Sequence, residues 1–221
     1  MSVVETPAAA SDESRSASVA IPSLETASIL SRDRFDAGCG ALVNYLRKMR
    51  GSTRGSPPRV SSSEIFWSWL GAFLGISAVA LVGQRFFPGT DNLLMIGSFG
   101  ASAVLLYGAP RSPLAQPRNL VGGHLVSAAI GVLCFQLLSS WPGLAAAMAV
   151  ASAIALMHLT RSLHPPGGAT ALIAVVGSQR IHDLGYLYLL APVGIGVLIL
   201  LLVALVVNNL CPNRRYPEVW F

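Results

Sequence analysis

Charge is scarce in this chain of 221 residues: Asp, Glu, Lys and Arg make up 11% of it, where soluble domains carry roughly 25%. A water-facing globule of this length would lack the polar surface to cover itself. Cysteine is scarce too. Cys39, Cys134 and Cys211 stand apart, without a Cys-x-x-Cys pair or a His pair at metal-ligand spacing. That argues against a disulfide framework and against a zinc module; Cys134, inside an apolar run, reads as a small apolar residue. Enzyme signatures are also missing. Gly-x-x-x-x-Gly-Lys, Gly-x-Ser-x-Gly and His-Glu-x-x-His do not occur, nor do paired carboxylates in the apolar stretches. Neither an enzyme activity nor a cofactor or metal is expected.

What the chain has in quantity is apolar surface. Hydrophobic residues make up 53%, mean hydropathy is +0.60, and residues 92–210 carry only Asp183, Arg111, Arg118, Arg161 and Arg180 as charges. A formal net charge of +5 would raise nucleic-acid binding if the bases formed a readout face. Here they flank apolar runs, so they read as orientation signals of an integral, multi-pass membrane protein. The lipid bilayer is the expected partner, and nucleic acid is not.

The chain divides by composition. Residues 1–34 are a polar, Ser/Ala-rich tail without an apolar h-region, read as disordered. Residues 35–64 hold a juxtamembrane helix and a basic linker. Phe35, Leu42, Val43, Leu46 and Met49 recur at helical spacing there, which fits an interfacial helix and a short soluble one equally. Residues 65–210 form the membrane domain, and 211–221 a short C-terminal tail. The expected fold is all-α, with about six membrane segments: 65–82, 93–107, 120–138, 144–159, a broken piece over 161–177, and 184–207. In the broken piece Pro165 and Pro166 predict an extended lead-in, since each fixes φ and removes a donor. Six extended residues at ~3.3 Å and ten helical ones at ~1.5 Å reach roughly 35 Å, enough to cross. The crossing also places the linker, Arg111, Arg118, Arg161, Arg214 and Arg215 on one side and Arg180 with Asp183 on the other, as the positive-inside rule favours.

The domain contains an internal echo. Phe99-Gly100-Ala101-Ser102-Ala103 lines up with Gly167-Gly168-Ala169-Thr170-Ala171, and Ile130-Gly131-Val132-Leu133 with Ile195-Gly196-Val197-Leu198. Two units of three spans each would be antiparallel in the membrane, a 3+3 inverted repeat of the kind secondary transporters use. Each small-residue motif follows a helix interruption and would open a half-helix at membrane depth, with free N–H groups and a positive dipole end. Two such ends make a site for a small anion. The alternative is that these motifs are close-packing seams.

At Ser162-Leu163-His164-Pro165-Pro166-Gly167-Gly168-Ala169-Thr170-Ala171 the sequence closely resembles the HPP family of integral membrane proteins, named for His-Pro-Pro. The resemblance continues through Gly97-Ser98-Phe99-Gly100-Ala101-Ser102-Ala103, Ser112-Pro113-Leu114-Ala115-Gln116-Pro117-Arg118-Asn119, Gly122-Gly123-His124 and Asn208-Asn209-Leu210, covering about 65–217. The opening Phe66-Trp67-Ser68-Trp69 and the tail Arg214-Arg215-Tyr216-Pro217 look similar to eukaryotic, fungal-type members. Plant and cyanobacterial relatives are associated with nitrite transport, so the resemblance implies a small-anion transporter. The family is usually described with four spans, against the six read here.

The candidate substrate-binding residues are therefore His164, Gly167, Gly168, Ala169 and Thr170 in one motif, Gly100, Ala101 and Ser102 in the other, and His124 early in the third span. An ionisable group inside a membrane is a functional hypothesis by default, and His titrates near neutral pH; otherwise His164 would cap a carbonyl freed by Pro165. His158, Arg118 and Arg161 read as interfacial residues or topology anchors. The partners expected are a small inorganic anion, nitrite first, and a second copy of the chain packed through Gly71 and Gly75. The competing function is a non-transporting membrane scaffold or sensor whose polar tail captures a partner.

Overall fold

The computed structural model describes residues 43–49, 59–86 and 95–221. The chain forms two compact units, Met1–Pro58 and Arg59–Phe221. In the first, residues 43–49 are a short exposed helix, α1; the polar tail and most of the linker lie outside the described residues.

The described residues of the second unit form helices joined by turns, without a strand. α2 (Ser62–Phe86) precedes α3 (Gly97–Ala103), which runs on through a wider π turn, Val104–Gly108. A 3-10 turn at Pro113–Ala115 leads to α4 (Pro117–Leu138), α5 (Pro142–Leu159) and α6 (Pro165–Val176). α7 (Gln179–Leu184), a 3-10 stretch (Gly185–Leu189) and a π turn (Leu190–Gly194) lead into α8 (Ile195–Leu210). Prolines at the first or second positions of α4, α5 and α6 mark their starts, because a missing N–H costs nothing there and the fixed φ suits a helix.

Among the described residues, four segments are long and apolar enough to cross a membrane: Ser62–Phe86, Pro117–Leu138, Pro142–Leu159 and Gln179–Leu210. The other two expected segments, 93–107 and 161–177, are half-length helices among the described residues. α6 has 12 residues, about 18 Å at ~1.5 Å each, against a hydrocarbon core of ~30 Å. Its extended lead-in is shorter than predicted and ends at His164, with φ −138° and ψ 105°. Pro165 and Pro166 are the first helical residues, and only Ser162–His164 is non-helical. The second apolar stretch is likewise half-length, beginning at Gly97 rather than Leu93 among the described residues.

The chain nevertheless changes ends between Arg161 and Gly177. The Thr160 carbonyl accepts from Arg118 at the start of α4, whereas His182, just past α6, stacks on Phe135 near the end of α4 at 3.7 Å. Arg111 donates to the Asn213 carbonyl and Arg214 pairs with Glu64. Arg111, Arg118 and Arg214 thus share one end of the bundle, and Arg180 and Asp183 stand with His182 at the other.

Small residues set the helix spacing. Ala145, Ala149, Ala153 and Met157 recur every four residues and are buried, giving α5 a flat seam against α4 and α6. A Cβ on Gly131 would fall 2.6 Å from the Ala171 carbonyl oxygen, so α4 and α6 approach nearly backbone to backbone. The Gly71/Gly75 pair is corrected as an intermolecular seam: the fully buried ring of Tyr107 lies over both glycines and its hydroxyl donates to the Leu200 carbonyl. An interface between copies would need another face. The outer face of α2 carries Trp69 and Phe73, exposed and stacked at 5.4 Å, as a lipid-facing surface allows.

The C-terminal residues are not a loose tail. The Arg214 side chain is 2% exposed. Its Nε and Nη2 donate to Glu64 Oε2 at 2.9 and 2.6 Å, and Nη2 also reaches the Glu64 carbonyl and Ser68 Oγ. Nη1 donates to the Tyr107 carbonyl and to Asn208 Oδ1. Tyr216 is buried with its hydroxyl on the Ala115 carbonyl, and burial pushes its phenol above the usual tyrosine range.

Candidate functional site

Two histidines and three hydroxyls meet in the interior, where α3, α4 and α6 pack together. Ser98, Ser102, His124, His164 and Thr170 are each fully buried. α3 contributes Ser98 and Ser102, one helical turn apart and so on one face. α4 brings His124 between them and α6, and α6 carries His164 at its N-cap and Thr170 in its second turn. Ser98 meets Thr170 while Ser102 meets His164, so α3 and α6 lie antiparallel.

The contacts run in a single series. His164 Nδ1 donates to the Leu114 carbonyl at 2.8 Å, and its Nε2 lies 2.9 Å from Ser102 Oγ. Ser102 Oγ is also 2.7 Å from His124 Nε2. On the far side of that ring, Nδ1 is 2.7 Å from Thr170 Oγ1, and Thr170 donates to Ser98 Oγ at 2.9 Å. The imidazoles are tilted, with ring centroids 4.9 Å apart, and Phe99 meets His124 edge-on at 5.7 Å. Among the described residues, every buried side-chain nitrogen or oxygen has a hydrogen-bond partner. Such satisfaction is what a low-dielectric interior requires of polar groups.

Of the sequence candidates, His164, Thr170, Ser102 and His124 come together. The others do not join them. Gly100 and Ala101 are exposed on the opposite side of α3. Gly167 is buried as a packing contact, where a Cβ would fall 2.7 Å from Ser127 Oγ and 2.9 Å from the Gly123 carbonyl. Gly168 and Ala169 are half-buried, and a Cβ on Gly168 would find Val150 no nearer than 3.8 Å. The anticipated free N–H groups at the start of α6 are also corrected: Pro165 and Pro166 have none, and Gly167 N–H is taken by the His164 carbonyl at 2.8 Å. Polar side chains, not backbone donors, make this site. His158 is exposed at the end of α5, and Arg118 ties α4 to the Thr160 carbonyl.

Sequence reasoning missed Ser98 and Leu114. Ser98 had a signal, a second serine four residues before Ser102 in an apolar stretch. Leu114 had none, because its contribution is a backbone oxygen placed by the turn at 113–115.

Residues 57–217 match the family described as HPP, transmembrane region. Two transmembrane proteins of Dictyostelium discoideum are similar. One is 46% identical over 182 residues, covering 81% of this chain and 58% of its own length. The other is 44% identical over 184 residues, covering 81% and 64%. The chain thus spans about three-fifths of the length of these curated relatives. No solved structure matches. With the His-Pro-Pro motif forming the cap and first turn of α6, the family match along most of the chain, and four apolar helices of spanning length, this chain is an integral, multi-pass membrane protein of the HPP family.

Proposed function

We propose that the chain transports a small monovalent anion, with nitrite the first substrate to test, along the track formed by Ser98, Thr170, His124, Ser102 and His164. The observation that carries the reading is the placement of two imidazoles and three hydroxyls, all fully buried, between two half-length helices inside an apolar bundle. Polar groups are expensive there and are retained where they serve a solute or a proton. Histidine N–H and hydroxyl O–H groups are neutral donors that can replace part of an anion's hydration shell without trapping it as a fixed cation would.

The antiparallel run of the two half-length helices supports the same reading. α3 and α6 run in opposite directions, and each aligned glycine packs on the half-length helix of the other half, though not at equivalent positions: Gly131 on Ala171 of α6, and Gly196 on Phe99 of α3. Exchange of this kind is what an inverted repeat produces, with its site at the interface between units.

The test is nitrite flux into proteoliposomes containing the full chain, compared with the His124→Gln protein at matched reconstitution. Wild-type flux well above empty vesicles, falling at least about tenfold in the variant, supports transport through this track; about tenfold corresponds to ~1.4 kcal/mol of lost stabilisation. If wild type moves none of nitrite, nitrate, formate and chloride, the scaffold or sensor reading replaces it.

A further inference from the structure

The series of five side chains obeys a proton count. Its Leu114 end is a carbonyl, which only accepts, so His164 Nδ1 carries a hydrogen in every state. If both rings are neutral, His164 Nε2 is bare and must receive the Ser102 proton. Ser102 then has no hydrogen for His124, so His124 must donate from Nε2, leaving its Nδ1 bare to accept from Thr170. Thr170 must in turn accept from Ser98. Hydroxyl rotors permit this, and every donor then points toward Leu114.

The opposite sense, with Thr170 donating to Ser98, demands one more proton. His124 must then donate from Nδ1 to Thr170, and one of the two rings is cationic. Which ring it is depends only on the Ser102 hydrogen. With Ser102 donating to His164 the charge sits on His124; with Ser102 donating to His124 it sits on His164. Two cationic rings would repel across 4.9 Å in a low dielectric and leave the Ser102 hydrogen without an acceptor in the series.

We propose that Ser98–Thr170–His124–Ser102–His164 is a proton-loading chain, anchored on the Leu114 carbonyl at one end and on Ser98 at the other, that takes up a single proton shared by both imidazoles through Ser102. Loading proceeds from a proton donor at Ser98, either water or the conjugate acid of a weak-acid anion. The donor's H–O bond breaks and its proton goes to Ser98 Oγ. The Ser98 hydrogen passes to Thr170, and the Thr170 hydrogen to His124 Nδ1. One N–H bond has formed and the donor's base is left behind.

The other titratable groups on the elements packed around the pair are engaged elsewhere or lie at the bundle ends. Tyr188 donates to the Thr170 carbonyl and Tyr107 to that of Leu200. Arg118 donates to the Thr160 carbonyl, and His182 bonds the Val175 carbonyl beside Arg180 and Asp183 on α7. Arg214 and Glu64 close the basic end, and Arg85 lies in the last turn of α2, at the far end of that helix from Glu64. Cys134 packs with Ala145 and Ala149, His158 is exposed, and α8 carries no charged residue.

The test needs no anion, so it fails or succeeds separately from the transport reading. Nitrogen NMR of histidine-labelled full chain in nanodiscs, over about two pH units either side of the ordinary histidine value, reads each ring nitrogen, with His158→Gln and His182→Gln assigning the signals. Expected are His164 Nδ1 protonated throughout, His124 Nδ1 passing from bare to protonated, and the two Nε2 signals moving together in one step that takes up one proton per chain. Ser102→Ala should separate the rings, and Ser102→Thr should restore the joint step. Independent uptake of two protons, a His124 Nδ1 that stays bare while His164 titrates, no uptake in the range, or joint titration surviving in Ser102→Ala would each overturn the proposal.

Discussion

His124 and His164 face each other with ring centroids 4.9 Å apart and hold one hydroxyl, that of Ser102, between their Nε2 atoms. Neither ring has a substitute partner for that nitrogen, so removing the hydroxyl orphans both. Leaving a buried polar group unsatisfied costs about 1–3 kcal/mol. Ser102→Ala should therefore lower thermal stability in detergent clearly more than Ser98→Ala, after which Thr170 retains the Pro166 carbonyl at 3.4 Å and loses about 1 kcal/mol. Equal losses would show that the two serines are not placed as described.

Two glycines within two residues of functional side chains, Gly123 beside His124 and Gly168 before Thr170, should respond oppositely. A Cβ on Gly123 would fall 2.5 Å from His164 Cβ and 2.9 Å from the Ser162 carbonyl, so Gly123→Ala should force the His164 segment off α4 at a cost of about 1–3 kcal/mol. Gly168→Ala meets only Val150, at 3.8 Å, and should be neutral or stabilising by up to about 1 kcal/mol through helix propensity. Melting curves of the two purified variants decide it.

Arg214 fastens the C-terminus to α2, the π turn and α8. Arg214→Ala should cost about 3 kcal/mol, at the low end for breaking a buried pair because Glu64 is 34% exposed. Glu64→Gln should cost less, since the guanidinium retains the Tyr107 and Glu64 carbonyls, Ser68 and Asn208. Limited proteolysis after residue 210 should quicken in the first variant and little in the second.

Arg161 has φ 54° just past the C-cap of α5, where Arg161 N–H bonds the His158 carbonyl and Ser162 N–H that of Met157. That is the Schellman closure, which favours glycine. Arg161→Gly should raise stability by about 1 kcal/mol, the relieved left-handed strain less the added freedom of the unfolded chain. A lowered melting temperature would show that the Arg161 side chain outweighs its backbone strain.

Single cysteines at positions 161 and 183, in a background lacking the native cysteines, should label from opposite faces of a sealed vesicle. Labelling from the same face would contradict the change of ends through α6.

Sequence by itself determined the membrane class, the all-helical fold and the end assignments of the arginines, because hydropathy and charge placement are local properties that act against the bilayer one segment at a time. It also marked His124, Ser102, His164 and Thr170 as the polar residues of apolar stretches. The tertiary structure decided the rest. Pro165 and Pro166 begin a helix rather than an extended strand, because both are tolerated where no N–H donor is needed. Gly71 and Gly75 receive Tyr107 of the same chain, since a ring was available from the π turn folded against α2. Which candidates form a site depended on helix rotation: one face of α3 turns Ser98 and Ser102 inward and leaves Gly100 and Ala101 outside, and the Leu114 carbonyl that anchors His164 is aimed by a turn. Those are relations between segments far apart in the chain, fixed only when α3, α4 and α6 close on one another.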